Sequence, residues 1–252
     1  MSERMRGAVY KSKALKTMAK GVLASFLGML VVACSGCGGG GGGSSAQPAT
    51  ALAVPPKIVN LDAQGDSTMY GYERVNGVLV QTQNNAPALL QSSLRAQYGA
   101  TVSVKNDGVG GSTIAQRLNG TVPYTAPYTP DSSQIVIGNW ALNDAAQSVD
   151  VQQFQSSIVQ FVTLVRAAGK TVVLEEPNPS TTVANLGAYV AAIDYVATQM
   201  NVPLVQQYVY IQSLPGWQSM LTDGVHPNDA MYAIKAQREA DVIGPIVATL
   251  LH

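Results

Sequence analysis

The sequence predicts a three-layer α/β/α sandwich around a central, mostly parallel sheet of about five strands. Three observations predict it. From about residue 56 the chain alternates short β-branched runs with longer stretches of helical periodicity, and strands joined by helices pair in parallel through right-handed crossovers. The short runs are bounded by Gly, Pro, Asp or Asn and read as buried strands. No internal repeat is visible, so a single sheet must gather all of them.

The elements follow in order. KIVNLDA (57–63), TVSVKND (101–107), SQIVIGN (133–139), TVVLEEP (171–177) and VPLVQQY (202–208) read as strands. ALLQSSLRAQYG (88–99) reads as a helix stopped by its glycine. Residues 151–168 place Val151, Phe154, Ile158, Phe161, Val162 and Val165 on one helical face; Asp150 and Gln153 form an N-terminal cap pair and Gly169 the stop. ANLGAYVAAIDYVATQMN (184–201) is a further helix. Residues 229–251 form the last one, which Gly244-Pro245 is expected to interrupt, because proline removes a helical hydrogen bond and crowds the preceding turn.

Composition divides the chain unevenly. Residues 1–20 hold Arg4, Arg6, Lys11, Lys13, Lys16 and Lys20 against Glu3 alone, and residues 21–33 (GVLASFLGMLVVA) carry no charge. A basic segment followed by a 13-residue apolar run reads as a secretory signal peptide (1–33), shorter than the roughly 20 residues of a spanning helix. Val31-Val32-Ala33-Cys34 resembles the lipobox of bacterial lipoproteins, with Cys34 lipidated, and the Gly/Ser-rich segment 34–55 reads as a flexible tether. The reading is an exported chain in a bacterial cell envelope, touching the membrane through a lipid anchor only, or otherwise periplasmic or secreted. Residues 56–252 form the domain. Removing the leader takes six of 15 basic residues and one of 15 acidic ones, leaving nine against 14 and a net charge near −5.

That balance argues against nucleic acid, which requires a basic stripe. Two cysteines, of which Cys37 is left idle in the tether, exclude a disulfide scaffold. A body of this size buries roughly 70% of its unfolded surface without such help. Two histidines, one of them the terminal His252, leave little material for a metal site. No metal and no cofactor are expected.

Polar residues of chemical interest fall at the carboxyl ends of the expected strands, where sheets of this kind bind ligands. They are Gly65-Asp66-Ser67-Thr68, Asn106 through Thr113, Gly138 through Asp144, and Asp223-Gly224-Val225-His226-Pro227. Serine attacks poorly until a base removes its proton, and His226 is the internal candidate. Asp223, three residues earlier, can reach the imidazole from one loop and fix its tautomer. Gly110-Gly111 offers unobstructed backbone N–H groups, and Asn143 a side-chain N–H, for a developing oxyanion. Each has a plainer reading. Ser67 also suits a helix N-cap, His226 a turn, Gly110-Gly111 a tight turn, and Asn143-Asp144 capping. The catalytic reading rests on their joint order.

That order resembles the SGNH family, also called GDSL esterases and lipases. Gly65-Asp66-Ser67 resembles its first block, with Ser67 as nucleophile. Asn106–Thr113 resembles the second, which implies Gly111, with Gly110 the neighbouring choice, as an oxyanion donor. Asn143-Asp144 resembles the third, placing Asn143 in the oxyanion hole with the Ser67 and Gly111 N–H groups. Asp223-x-x-His226-Pro227 resembles the last. The resemblance spans roughly residues 57–250 and implies a flavodoxin-like sheet. Two departures stand out: Thr68 replaces the family's leucine, and Trp140-Ala141-Leu142 separates Gly138 from Asn143. Trp140 either walls the substrate pocket with Gly110 or belongs to the core. Asp66 and Asp144 are assigned to bracing.

Other motifs fail. Gly65–Met69 lacks the closing glycine of G-x-S-x-G; the glycines at 108–111 lack the last glycine of G-x-G-x-x-G; the run at 38–43 lacks a following Gly-Lys-Ser/Thr. The expectation is therefore a monomeric serine esterase acting on small-molecule, glycan or lipid esters, favouring short, acetyl-type acyl groups. A lysophospholipase or thioesterase of the same family is the first alternative. A non-catalytic, glycan-binding envelope lipoprotein is the second.

Overall fold

The computed structural model describes residues 57–252. The leader, Cys34 and the whole of the tether (34–55) lie outside them. In chain order the elements are β1 (Val59–Gly65), α1 (Ser67–Tyr70), β2 (Tyr72–Val75), β3 (Val78–Gln81), α2 (Ala86–Tyr98), β4 (Val102–Gly108), α3 (Ile114–Asn119), β5 (Ile135–Asn139), α4 (Leu142–Ala146), α5 (Val151–Ala167), β6 (Thr171–Glu175), α6 (Leu186–Gln199), β7 (Leu204–Val205), α7 (Tyr208–Gln212), a 3-10 turn (Trp217–Met220) and α8 (Asp229–Leu251).

Five strands form one sheet in the order β4-β1-β5-β6-β7, every pair parallel. Alternating side chains assign the two faces. Val136, Val172 and Leu174 meet Phe154, Ile158, Phe161 and Val165 of α5 and Ile193 and Val196 of α6. Leu61, Ala63, Ile135, Ile137 and Val173 meet Leu90 and Leu94 of α2 and Ile243 and Val247 of α8. Side chains of this size stabilise by roughly 1.5–3 kcal/mol each when fully buried. Both faces are therefore covered; β5 and β6 read as apolar runs, whereas β1 and β4 interleave polar residues.

Caps set where the helices begin. Asn85 and Asp150 accept N–H bonds from the first turns of α2 and α5, Pro87 sits in the first turn of α2, and Thr113 with Gln116 completes a capping box on α3.

Two expectations are corrected. The strand expected over 202–208 pairs only at Leu204–Val205. Gln207 turns inward instead, its amide donating to Glu175 Oε1 and to the Lys235 carbonyl, while Glu176 accepts from Tyr208 N as α7 begins. The last helix is not broken at Gly244-Pro245 but runs from Asp229 to Leu251. Pro245 lies on its exposed face, where water can reach the carbonyl one turn back that loses its partner. The strand pattern also does not anticipate the β2–β3 hairpin.

Candidate active site

The carboxyl end of β1 must turn into α1 within one residue. Gly65 permits this: a Cβ there would lie 2.4 Å from the Asn139 carbonyl oxygen and 2.6 Å from Met69 Cβ. Asp66 caps α1, its Oδ1 accepting from Thr68 N at 2.8 Å and Thr68 Oγ1 at 3.0 Å. The capping role is thus taken by Asp66, which frees the Ser67 hydroxyl at the first helical position.

His226 reaches that hydroxyl from the far end of the chain, with Nε2 2.9 Å from Ser67 Oγ. Its Nδ1 lies 2.8 Å from Asp223 Oδ2, while Asp223 Oδ1 accepts the backbone N–H groups of Val225 and His226 at 3.1 and 2.8 Å. With Nδ1–H donated to the carboxylate, Nε2 is the acceptor that faces Ser67. Burial opposes the charge on Asp223, but the hydrogen bonds from His226 and Arg74 outweigh it and hold the carboxyl down at about 2.

Arg74 is a contributor the sequence does not announce. It stands on β2, its Nε donating to Asp223 Oδ2 at 3.0 Å, its Nη1 to the Gly77 carbonyl at 2.7 Å, and its backbone N–H to Thr222 Oγ1 at 2.9 Å. The hairpin is thereby strapped to the loop that carries the histidine. The signal that identifies the hairpin is Asn76-Gly77, whose φ values of 50° and 82° are those of a two-residue turn. Its site-facing residues are Tyr72, edge-on to His226 with ring centroids 6.2 Å apart, and Leu79.

The remaining wall comes from the β4–α3 loop and α4. Gly111 adopts φ +77°, and a Cβ on Gly110 would lie 2.6 Å from the Tyr72 ring. Asn143 Nδ2 donates one N–H to the Ser112 carbonyl at 3.0 Å. Its second N–H, and the backbone N–H groups of Ser67 and Gly111, take no acceptor among the described residues. Ser67, Gly110, Gly111, Asn143 and His226 line one pocket of about 500 Å³, completed by Tyr70, Tyr72 and Leu79.

Asp144 points away from this pocket. It is fully buried, and Oδ1 accepts from Ile114 N at 3.4 Å, tying α4 to α3. Burial and the nearby charge of Asp66 push its carboxyl up to about 7. Trp140 is a core residue rather than a pocket wall: it is 3% exposed and packs edge-on against Phe161 with ring centroids 5.2 Å apart. The pocket wall on this side comes instead from Asn143 of α4. Among the described residues the carboxylates that gather closely enough to hold a cation are Asp62, Asp107 and Asp131. The Lys105 ammonium already lies 2.6 Å from Asp107 and 3.5 Å from Asp131.

The sequence matches the GDSL-like lipase/acylhydrolase family over residues 63–234. Among solved structures, a lipase/acylhydrolase from Enterococcus faecalis is similar with a TM-score of 0.62 and 19% identity, covering 75% of this chain and 97% of its own. A carbohydrate acetylesterase from Sinorhizobium meliloti is similar with a TM-score of 0.61 and 13% identity, covering 75% of this chain and 99% of its own. At these identities the likeness is one of fold. A search of curated proteins found no match.

Proposed function

The chain belongs to the GDSL-like lipase/acylhydrolase family and is a carboxylic ester hydrolase, and from that premise we propose that it is a serine esterase working through an acyl-enzyme on Ser67, with short acyl groups preferred. The observation that carries the reading is the continuous line from Asp223 through His226 to Ser67 Oγ, at 2.8 and 2.9 Å.

His226 takes the Ser67 proton as Oγ attacks the ester carbonyl. The oxyanion is received by the N–H groups of Ser67 and Gly111 and the open amide N–H of Asn143. The imidazolium protonates the leaving alcohol, and water then attacks the acyl-enzyme by the same steps reversed. Tyr70, Tyr72 and Leu79 line the pocket beside the nucleophile, and acetyl-type esters are the substrates we infer for it.

Ser67→Ala is expected to lower p-nitrophenyl acetate hydrolysis by about 10⁴-fold or more while the fold persists. A fluorophosphonate probe should label the wild type at Ser67, mapped by mass spectrometry. Near-normal turnover by the variant, or no labelling of Ser67, would overturn the assignment.

The basic leader and Cys34 motif support a second part of the reading, a monomeric lipoprotein tethered in the cell envelope by multiple acyl chains, since one alone anchors marginally. Metabolic palmitate labelling should mark the wild type and be lost in Cys34→Ser; equal labelling of both would reject the anchor.

A further inference from the structure

A second pocket, of about 540 Å³, adjoins the catalytic one, and the two share Gly108 and Val109. Arg117 of α3 lines it. The guanidinium carbon lies 4.9 Å from the ring centroid of Tyr124 and 4.5 Å from that of Tyr128. Its Nε donates to Gln64 Oε1 at 2.8 Å, while the two Nη groups take no acceptor among the described residues.

This openness is unexpected beside three carboxylates. Gln64 accounts for it. The buried Gln64 amide turns its Nε2 to both oxygens of Asp62, at 2.9 Å each, and to Asp107 at 3.3 Å, and gives its oxygen to Arg117. Lys105 pairs with Asp107 and Asp131. Burial, then the charges of Asp107 and Asp131, push Asp62 up to about 7 against the Gln64 hydrogen bond. The acidic group is therefore served from its own side, and no carboxylate comes within ion-pair distance of Arg117 among the described residues.

A guanidinium held against two aromatic rings and pinned at Nε loses little freedom when it binds. Its open Nη groups form a fork that matches a carboxylate or phosphate through charge-assisted hydrogen bonds. We propose that the Arg117 pocket is a subsite for an anionic group, carboxylate or phosphate, carried by the ester that Ser67 attacks. Thr125 and Thr129 line the same pocket with hydroxyls, and the Asp107 carboxylate also lines it, its charge answered by the Lys105 ammonium at 2.6 Å. The subsite also joins the oxyanion wall: Tyr124 donates its hydroxyl to Ser112 Oγ at 3.1 Å, and the Ser112 carbonyl accepts the Asn143 amide.

The inference rests on the esterase reading, so its test uses matched pairs of esters. One arm compares 4-nitrophenyl hemisuccinate with 4-nitrophenyl butyrate; the other compares 1-butyrylglycerol 3-phosphate with 1-butyrylglycerol. In at least one arm the wild type should favour the anionic member, and Arg117→Gln should lower that anionic-to-neutral ratio of kcat/KM by roughly 10- to 100-fold, mainly through KM. The arm that responds identifies carboxylate or phosphate as the group. A wild type without preference in either arm, or a ratio unchanged in Arg117→Gln, overturns the subsite. Ser67→Ala run in parallel separates the two readings: hydrolysis of the neutral esters that depends on Ser67 but shows no anionic preference rejects the subsite alone, whereas hydrolysis independent of Ser67 rejects the esterase mechanism itself.

Discussion

Arg74 and Arg117 stand on two walls of one catalytic region and are used in opposite ways. Arg74, on the β2–β3 hairpin, has its Nε committed to Asp223 and its Nη1 to the Gly77 carbonyl. Arg117, on α3 behind the oxyanion loop, is pinned only at Nε, and its remaining donors face a pocket. The difference follows from what each wall lacks. The hairpin is a two-stranded ribbon outside the main sheet, with Val75, Val78 and Val80 exposed, and isolated ribbons of this kind are marginal without a docking contact. Arg74 supplies one. The oxyanion wall is already fixed by the parallel pairing of β4 with β1, by the capping box of α3 and by the Ser112–Asn143 bond. An arginine there can be left open.

The comparison can be broken first on the oxyanion wall. Asn143→Ala removes both the N–H proposed to receive the oxyanion and the bond to Ser112, and is expected to lower kcat by about 10²- to 10³-fold. Steady-state kinetics on p-nitrophenyl acetate checks it; a change confined to KM would mean that Asn143 holds the wall without touching the reaction.

Arg74→Met gives the smaller effect, and its pH dependence sharpens the contrast. Asp223 is held at about 2 against an ordinary 3.8, so its contribution to folding is complete above about pH 4 and disappears as pH falls through 2. Because Arg74 is 39% exposed at its side chain, the variant should lose under about 1 kcal/mol. That loss should be largest at pH 5 and shrink towards pH 2.5, measured by urea unfolding. An equal loss at both pH values would assign the strap to the side-chain contact with the Gly77 carbonyl instead of the ion pair.

Much of the sheet and the reactive groups were legible because local chemistry and tertiary placement agree. The carboxyl ends of parallel strands lie along one edge of the sheet, so Ser67 after β1, Gly111 after β4 and Asn143 after β5 fall together although the strand order in space is β4-β1-β5. What escaped depends on contacts between distant segments. The hairpin carries a readable turn in Asn76-Gly77, yet the role of Arg74 appears only once Thr222 and Asp223 are folded onto it, roughly 150 residues later. Val202–Tyr208 has the composition of a strand, but the buried Glu175 and Glu176 draw Gln207 and Tyr208 out of the ladder. Trp140 occupies a strand end without facing the site, because the α4 turn that follows, with Ala141 at φ 147°, redirects the chain. The openness of Arg117 required knowing which way the Gln64 amide points.

The contact between Ser67 and His226 spans 159 positions of the chain. In the proposed mechanism the nucleophile and the oxyanion donors are therefore synthesised long before the base. A fragment that ends before Asp223 would keep Ser67, Gly111 and Asn143 but lack His226. The proposed catalytic line is thus completed only near the end of the polypeptide.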